Sequence, residues 1–282
     1  MSVEEHAIAD RIQELKDQLG DDLLILGHHY QRDSIVMHAD FLGDSFMLSQ
    51  KAAASDAKYI VFCGVNFMAE SADILTSDDQ SVILPNLRAG CSMADMATLS
   101  EVEVAWETLL EESGLADPIH RPNPEEPAGD GEAFLVPVTY MNSSADLKDF
   151  VGRHGGVVCT SSNAEGVLTW AFERAGANGA VLFFPDQHLG RNTGLAMGIS
   201  ADRMPTWTPG IGAMGSLDEA RIVLWHGFCS VHKRFTPQQI ADFRAKHPGA
   251  VVVVHPECPR ETVEQADANG STQYIRNFVE QQ

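Results

Sequence analysis

The residue types best suited to chemistry stand in Trp225-His226-Gly227-Phe228-Cys229-Ser230-Val231-His232, directly after the apolar run Ile222 to Trp225. That places a thiol and an imidazole at the exit of a buried strand, where open α/β sheets hold their ligands. Cys91, in Ala89-Gly90-Cys91-Ser92, follows the apolar run Val82 to Pro85 in the same way. A lone cysteine is ordinarily a small buried hydrophobe. Two at strand exits, far apart in sequence, point to thiolates serving one centre. Cys/His sets also bind zinc, although no local C-x-x-C spacing supports a structural zinc finger.

Other polar residues gather after apolar runs too: His28 and Tyr30, Ser45 slightly later, Tyr140 and Asn142, Ser161, His255 and Glu257, and Thr272. Hydroxyls at helix N-termini, with exposed backbone N–H groups, suit phosphates and carboxylates. Histidines beside them can donate to an anion or move protons. A glutamate next to a proline at a strand exit can act as acid, base or amine anchor. The plain structural reading is that such Ser and Thr cap helices and that such histidines are satisfied hydrogen-bond partners.

The elements that must position these residues follow a strand–helix repeat, which predicts a parallel α/β sheet. Apolar spacing predicts a helix over 3–19, a strand over 22–27, helices over 33–41 and from about Ser45 to Ala54, a strand over 59–63 and a helix over 66–75. Further strands are expected at 82–85, 134–140, 157–159, 180–184, 222–225 and 251–254. Helices are expected at 99–110, up to Ala175, at 237–246, at 261–268 and after Gly270-Ser271-Thr272. Residues 111–132, rich in Pro, Gly and acid, predict a loop or inserted hairpin, and 195–217 a second irregular insert.

The chain of 282 residues has room for one large domain or two to three small ones. Its net charge of −21 argues against a nucleic-acid or anionic-membrane partner. No apolar run reaches the ~20 residues that span a bilayer. The acidic N-terminus carries no signal-peptide pattern, so the expected compartment is the cytoplasm. Five cysteines, an odd number without a C-x-x-C pair, argue against a disulfide framework.

Ten stretches, in order, carry a family likeness: GHHYQ at 27–31, GDSFMLSQ at 43–50, FCGVNFMAESADIL at 62–75, LPNLRAGCSMADM at 84–96, YMNSSADLK at 140–148, CTSSNA at 159–164, FFPDQHLGRN at 183–192, GFCSVHKRF at 227–235, VVHPEC at 253–258 and GST at 270–272. Together they resemble the quinolinate synthase (NadA) family. The resemblance implies an α/β fold: a set of similar three-layer αβα domains with parallel sheets around a pseudo-threefold axis. The expected divisions are 1–95, 96–229 (with the inserts at about 111–132 and 195–217) and an incomplete third domain, 230–282.

The implied activity is condensation of iminoaspartate (iminosuccinate) with dihydroxyacetone phosphate to quinolinate, phosphate and water in de novo NAD biosynthesis. L-aspartate oxidase is the implied candidate supplier of iminoaspartate. The implied cofactor is a [4Fe–4S] cluster held by three cysteines, leaving one iron open as a Lewis acid; most such clusters have four cysteine ligands. Cys91 and Cys229 match two ligand positions. His28, Ser45, Tyr140, Asn142, Ser161, His255, Glu257 and Thr272 match substrate-binding positions. Tyr30, His232 and Glu257 are the candidates for proton transfer. The family's third ligand cysteine falls beyond Gln282, so the resemblance predicts a C-terminally truncated form with weak or absent activity. The runner-up is an α/β anion-binding fragment without a cluster. A Cys/His zinc hydrolase is the third reading.

Overall fold

Short apolar runs that alternate with helices leave one economical solution, a parallel sheet covered by its own crossovers. The computed structural model of the chain, which describes residues 3–281, has that form twice. The chain divides into two compact units, Met1–Cys91 and Ser92–Gln282.

In the first unit the helix α1 (Val3–Leu19) leads into β1 (Leu23–His28), α2 (Asp33–Val36), β2 (Phe41–Gly43), α3 (Ser45–Ala53), β3 (Tyr59–Cys63), α4 (Asn66–Leu75) and β4 (Ser81–Ile83). The four strands are parallel in the order β2-β1-β3-β4. Leu24, Ile25, Leu26, Ile60 and Phe62 form the sheet's buried part, with Leu48, Ala52, Phe67, Met68 and Ala72 packed from α3 and α4. The helix expected over 33–41 stops at Val36, and Phe41–Gly43 is instead a strand paired with Leu26–His28. A carboxylate just before the strand makes the difference: Asp40 Oδ2 accepts the Ile25 N–H at 2.8 Å, and Lys16 Nζ reaches Asp40 Oδ1 at 2.7 Å. Asp44, not Ser45, caps α3, its carboxylate accepting the Met47 N–H.

In the second unit α5 (Leu99–Ser113) precedes β5 (Leu135–Tyr140), α6 (Ala145–Arg153), β6 (Val157–Cys159), α7 (Ala164–Ala175), β7 (Ala180–Phe184), α8 (Gln187–Ala196), β8 (Thr206–Thr208), β9 (Gly212–Met214) and β10 (Ile222–Trp225). Then come α9 (Pro237–Lys246), β11 (Val253–Val254), α10 (Arg260–Val263), β12 (Ala268–Asn269) and α11 (Thr272–Glu280). The main sheet runs β6-β5-β7-β10-β8-β9, parallel except at β8–β9, and β11 pairs with β12. Both faces of its central strands are buried. Leu135, Leu182, Phe184, Val223 and Trp225 share one core with Trp106, Leu147 and Phe150, while Val136, Val138, Val181, Phe183, Ile222 and Leu224 are buried outside that cluster. This explains why these strands read as continuous apolar runs.

Two expectations change here. The segment 195–217 is not wholly irregular: β8 pairs with β10 and turns back as β9, so part of it extends the sheet. Helix α8, unrecognised in the sequence, carries two glycines that lower helix propensity. Both sit where a side chain has no room. A methyl group at Gly190 would stand 2.6 Å from Leu224 and 2.7 Å from Phe183, and one at Gly194 2.5 Å from Met204 and 2.9 Å from Ile222. The spacing of four residues puts both glycines on one face, which lets the helix lie close on the sheet.

The segment 111–132 contains a short 3₁₀ turn, Pro118–His120. It is tethered through Asp117, whose carboxylate accepts from Trp106 Nε1 at 2.8 Å, meets His154 Nδ1 at 2.8 Å and accepts the Ile119 N–H at 2.9 Å. Burial works to raise the Asp117 pKa, but His154, Trp106 and the Ile119 amide more than reverse it and hold it below the ordinary carboxylate range. Its contribution is therefore present above the carboxyl pKa of the unfolded chain and lost as pH falls through the lower folded value. Asp117→Ala lowers unfolding free energy at neutral pH by about 1–3 kcal/mol. In urea titrations the gap from wild type closes as the medium is acidified below about pH 4.

Candidate functional site

Ligands of open parallel sheets bind beyond the strands' carboxyl ends, where the strand order reverses. In the second unit that reversal lies between β5 and β7, since β6 flanks β5 on one side and β7 on the other. Tyr140 ends β5, and Asp186 follows β7. In the first unit the reversal lies between β1 and β3, and His28 ends β1.

The second unit brings five of the expected residues, Tyr140, Cys229, His232, His255 and Glu257, into one group. Tyr140 donates its hydroxyl to Glu257 Oε1 at 2.6 Å, and His232 Nδ1 lies 2.9 Å from Glu257 Oε2. His255 stacks on His232 with ring centroids 4.5 Å apart and planes inclined by 12°. The Cys229 Sγ lies within 4.8 Å of a His232 ring nitrogen. A Tyr–Glu–His chain with Cys229 beside it thus runs from the end of β5 to the loop after β10. Glu257 is 4 % exposed, so its charge is sustained by these partners and not by water.

The electrostatics follow from that burial. Burial works against charge on both Glu257 and His232. For Glu257, His232, His255 and Tyr140 more than reverse it and hold the carboxylate below its usual range. For His232, bonds to Cys229 and Glu257 win and push it up to about 10. His255 is pulled down to about 4, chiefly by burial, and is neutral. Its Nδ1 accepts the Glu257 N–H at 3.3 Å, which leaves the proton on Nε2. The first unit repeats this turn. His28 Nδ1 accepts the Tyr30 N–H at 3.3 Å, and burial followed by His29 lowers His28 to about 4. Each neutral imidazole therefore presents an Nε2–H donor, the form suited to a carboxylate or phosphate oxygen.

The remaining expected residues stand at strand exits but outside the hydrogen-bonded group. Asn142, Ser161 and Thr272 are half-buried. Ser271, not Thr272, caps α11 by accepting the Tyr274 N–H. In the first unit Ser45 and Cys91 are half-buried, and Tyr30 is exposed with its ring centroid 4.1 Å from that of His28.

A model of the family described as "Quinolinate synthetase A protein" (NadA) matches residues 10–282. The chain belongs to that family. It is 57 % identical over 275 residues to the quinolinate synthase of Corynebacterium glutamicum, covering 96 % of this chain and 65 % of the relative. The corresponding protein of a Nocardioides species is 52 % identical over 283 residues, with 97 % and 68 % covered. That of Acidobacterium capsulatum is 50 % identical over 286 residues, with 100 % and 71 % covered. The chain thus spans about two thirds of the length of the curated relatives it matches. The likeness read from ten motifs is a true family relationship.

The family implies a metal cofactor, and the thiols differ in how well each could serve one. Burial raises the thiols of Cys63, Cys159 and Cys258, the last to about 11, and leaves Cys159 and Cys258 0 % and 1 % exposed. Cys159 and Cys258 are thereby inert. Cys91 and Cys229 are half-buried on loops, and Cys229 has a cationic imidazole beside it. One sulfur, nitrogen or oxygen atom each from Cys229, His232 and Glu257 also lie within 4.8 Å of one another, close enough to hold a metal ion.

Two residues of FFPDQHLGRN were not singled out in the sequence. Asp186 is fully buried; its Oδ1 accepts the His188 and Leu189 N–H groups, and its Oδ2 has no hydrogen-bond partner among the described residues. Burial, then repulsion from Glu257, raise its pKa well above the ordinary value. Asn192 donates to the backbone around Glu257. Recognising α8 would have exposed both, since Asp186 is its N-cap. In the folded chain alkylating reagent modifies Cys229 before Cys159 and Cys258, which react only after denaturation; peptide mass spectrometry checks the order.

Proposed function

We propose that this chain is the catalytic part of a quinolinate synthase, condensing iminoaspartate with dihydroxyacetone phosphate to quinolinate, phosphate and water in NAD biosynthesis. Family membership supports the activity. The observation that carries the reading is the buried Tyr140–Glu257–His232 chain ending at Cys229. Condensation, loss of phosphate and ring closure each move protons, and a shielded carboxylate joined to an imidazolium can accept and return them.

In this reading Glu257 takes a proton on either carboxylate oxygen, with Tyr140 on one and His232 on the other. His232 donates to a departing oxygen. Tyr30 is the proposed proton donor of the first unit. The Nε2–H groups of His28 and His255 hold carboxylate or phosphate oxygens, and Ser45, Asn142, Ser161 and Thr272 supply further polar contacts. Cys91 and Cys229 are the proposed ligands of a [4Fe–4S] cluster. When bound, that cluster supplies a Lewis-acid iron. The proposed setting is the cytoplasm, with L-aspartate oxidase supplying iminoaspartate; no described helix is long and apolar enough to cross a membrane.

The natural protein, prepared without oxygen and supplied with iron and sulfide, is expected to turn brown and to form quinolinate from the two substrates. Zinc without sulfide in the purified protein would overturn this reading in favour of a mononuclear site. Cys91→Ser and Cys229→Ser each abolish cluster loading, whereas Cys63→Ser, Cys159→Ser and Cys258→Ser retain it, read by iron and sulfide content. Glu257→Gln lowers kcat by about 10²–10⁴-fold.

A further inference from the structure

We infer that Asn192 is a positioning residue that fixes the Glu257 carboxylate by clamping the backbone on both sides of it. The inference rests on the proposed role of Glu257. Asn192 Nδ2 donates to Pro256 O at 2.8 Å and to Cys258 O at 2.9 Å, the carbonyls immediately before and after Glu257. Both partners are carbonyl oxygens, so the atom between them must be the amide nitrogen. Asn192 is 9 % exposed, and water does not substitute readily for a lost donor there.

The helix that carries Asn192 is itself fixed. Gly190 and Gly194 bring one face of α8 against Phe183, Leu224, Ile222 and Met204. Asn192 lies two residues from each glycine, about 200° around the helix, and so projects from the opposite face. At the N-terminus Asp186 caps the helix, Asp186 bridges Gly227, and Gln187 N–H donates to Gly227 O at 3.0 Å. Gly227 stands two residues before Cys229 and has no room for a side chain, since a methyl group would meet Pro185 O at 2.2 Å. One helix therefore holds both the loop bearing Cys229 and the loop bearing Glu257. A displacement of about 1 Å at a reacting group can reduce turnover a hundredfold.

Three measurements test this. In the wild-type 282-residue chain the two Nδ2 protons of Asn192 exchange with solvent at least about a hundredfold more slowly than those of an exposed asparagine. The hydroxyl proton resonance of Tyr140, assigned by its loss in Tyr140→Phe, shifts or disappears in both Asn192→Asp and Asn192→Leu while thermal melts remain cooperative. In the active protein both variants lower kcat by about 10²-fold with KM within about twofold of wild type, the pattern of misplaced chemistry and not of lost folded protein. Rapid Nδ2 exchange, or an unmoved Tyr140 resonance in folded variants, overturns the clamp. If either variant fails to fold, the wild-type exchange rate decides alone. If the wild-type protein makes no quinolinate, the proposed function fails, and the two resonance measurements still decide the clamp.

Discussion

A carboxylate in a dry interior must be neutralised, paired or expelled, and the second unit is organised around pairing one. Glu257 is held ionised by a tyrosine hydroxyl on one oxygen, an imidazolium on the other and a neutral imidazole stacked behind. Each partner comes from a different stretch: Tyr140 from the end of β5, His232 from beyond β10, His255 from the end of β11. Satisfying the charge thus requires three strand exits to converge. Removing His232 would leave Glu257 as an uncompensated buried charge, which is costlier than never having buried it.

Asp186 shows the alternative solution a short distance along the chain. It too is buried, but among the described residues its second oxygen has no donor, and Glu257 adds repulsion. Its pKa is driven up while that of Glu257 is held down. Two carboxyl groups in one interior are shifted in opposite directions by their different hydrogen bonds.

Much of this was legible in the sequence. Strand–helix alternation gave the sheet class, and the apolar runs placed β3, β6, β7 and β10 at their observed residues. Clusters of polar residues after those runs located Tyr140, His232, His255 and Glu257, because parallel strands send their carboxyl ends to one side. Periodicity failed where tertiary contacts overrode it. The glycines of α8 read as breakers until the sheet beneath them is seen. The strand at Phe41–Gly43 depends on Asp40 gripping β1, a contact between residues 15 apart in sequence. Which cysteines are inert depends on burial, and a sequence shows position without depth.

The two histidine turns have a wider meaning for a chain of net charge −21. Neutral Nε2–H groups offer an anion directional dipoles without formal positive charge. Such donors act at contact range and are little weakened by dissolved ions, whereas the acidic surface repels at distances that salt screens. Raising ionic strength therefore removes the barrier to approach and leaves the grip intact. A protein built this way can be thickly acidic for the sake of solubility and still receive an anionic ligand, with its attraction confined to the last few ångströms.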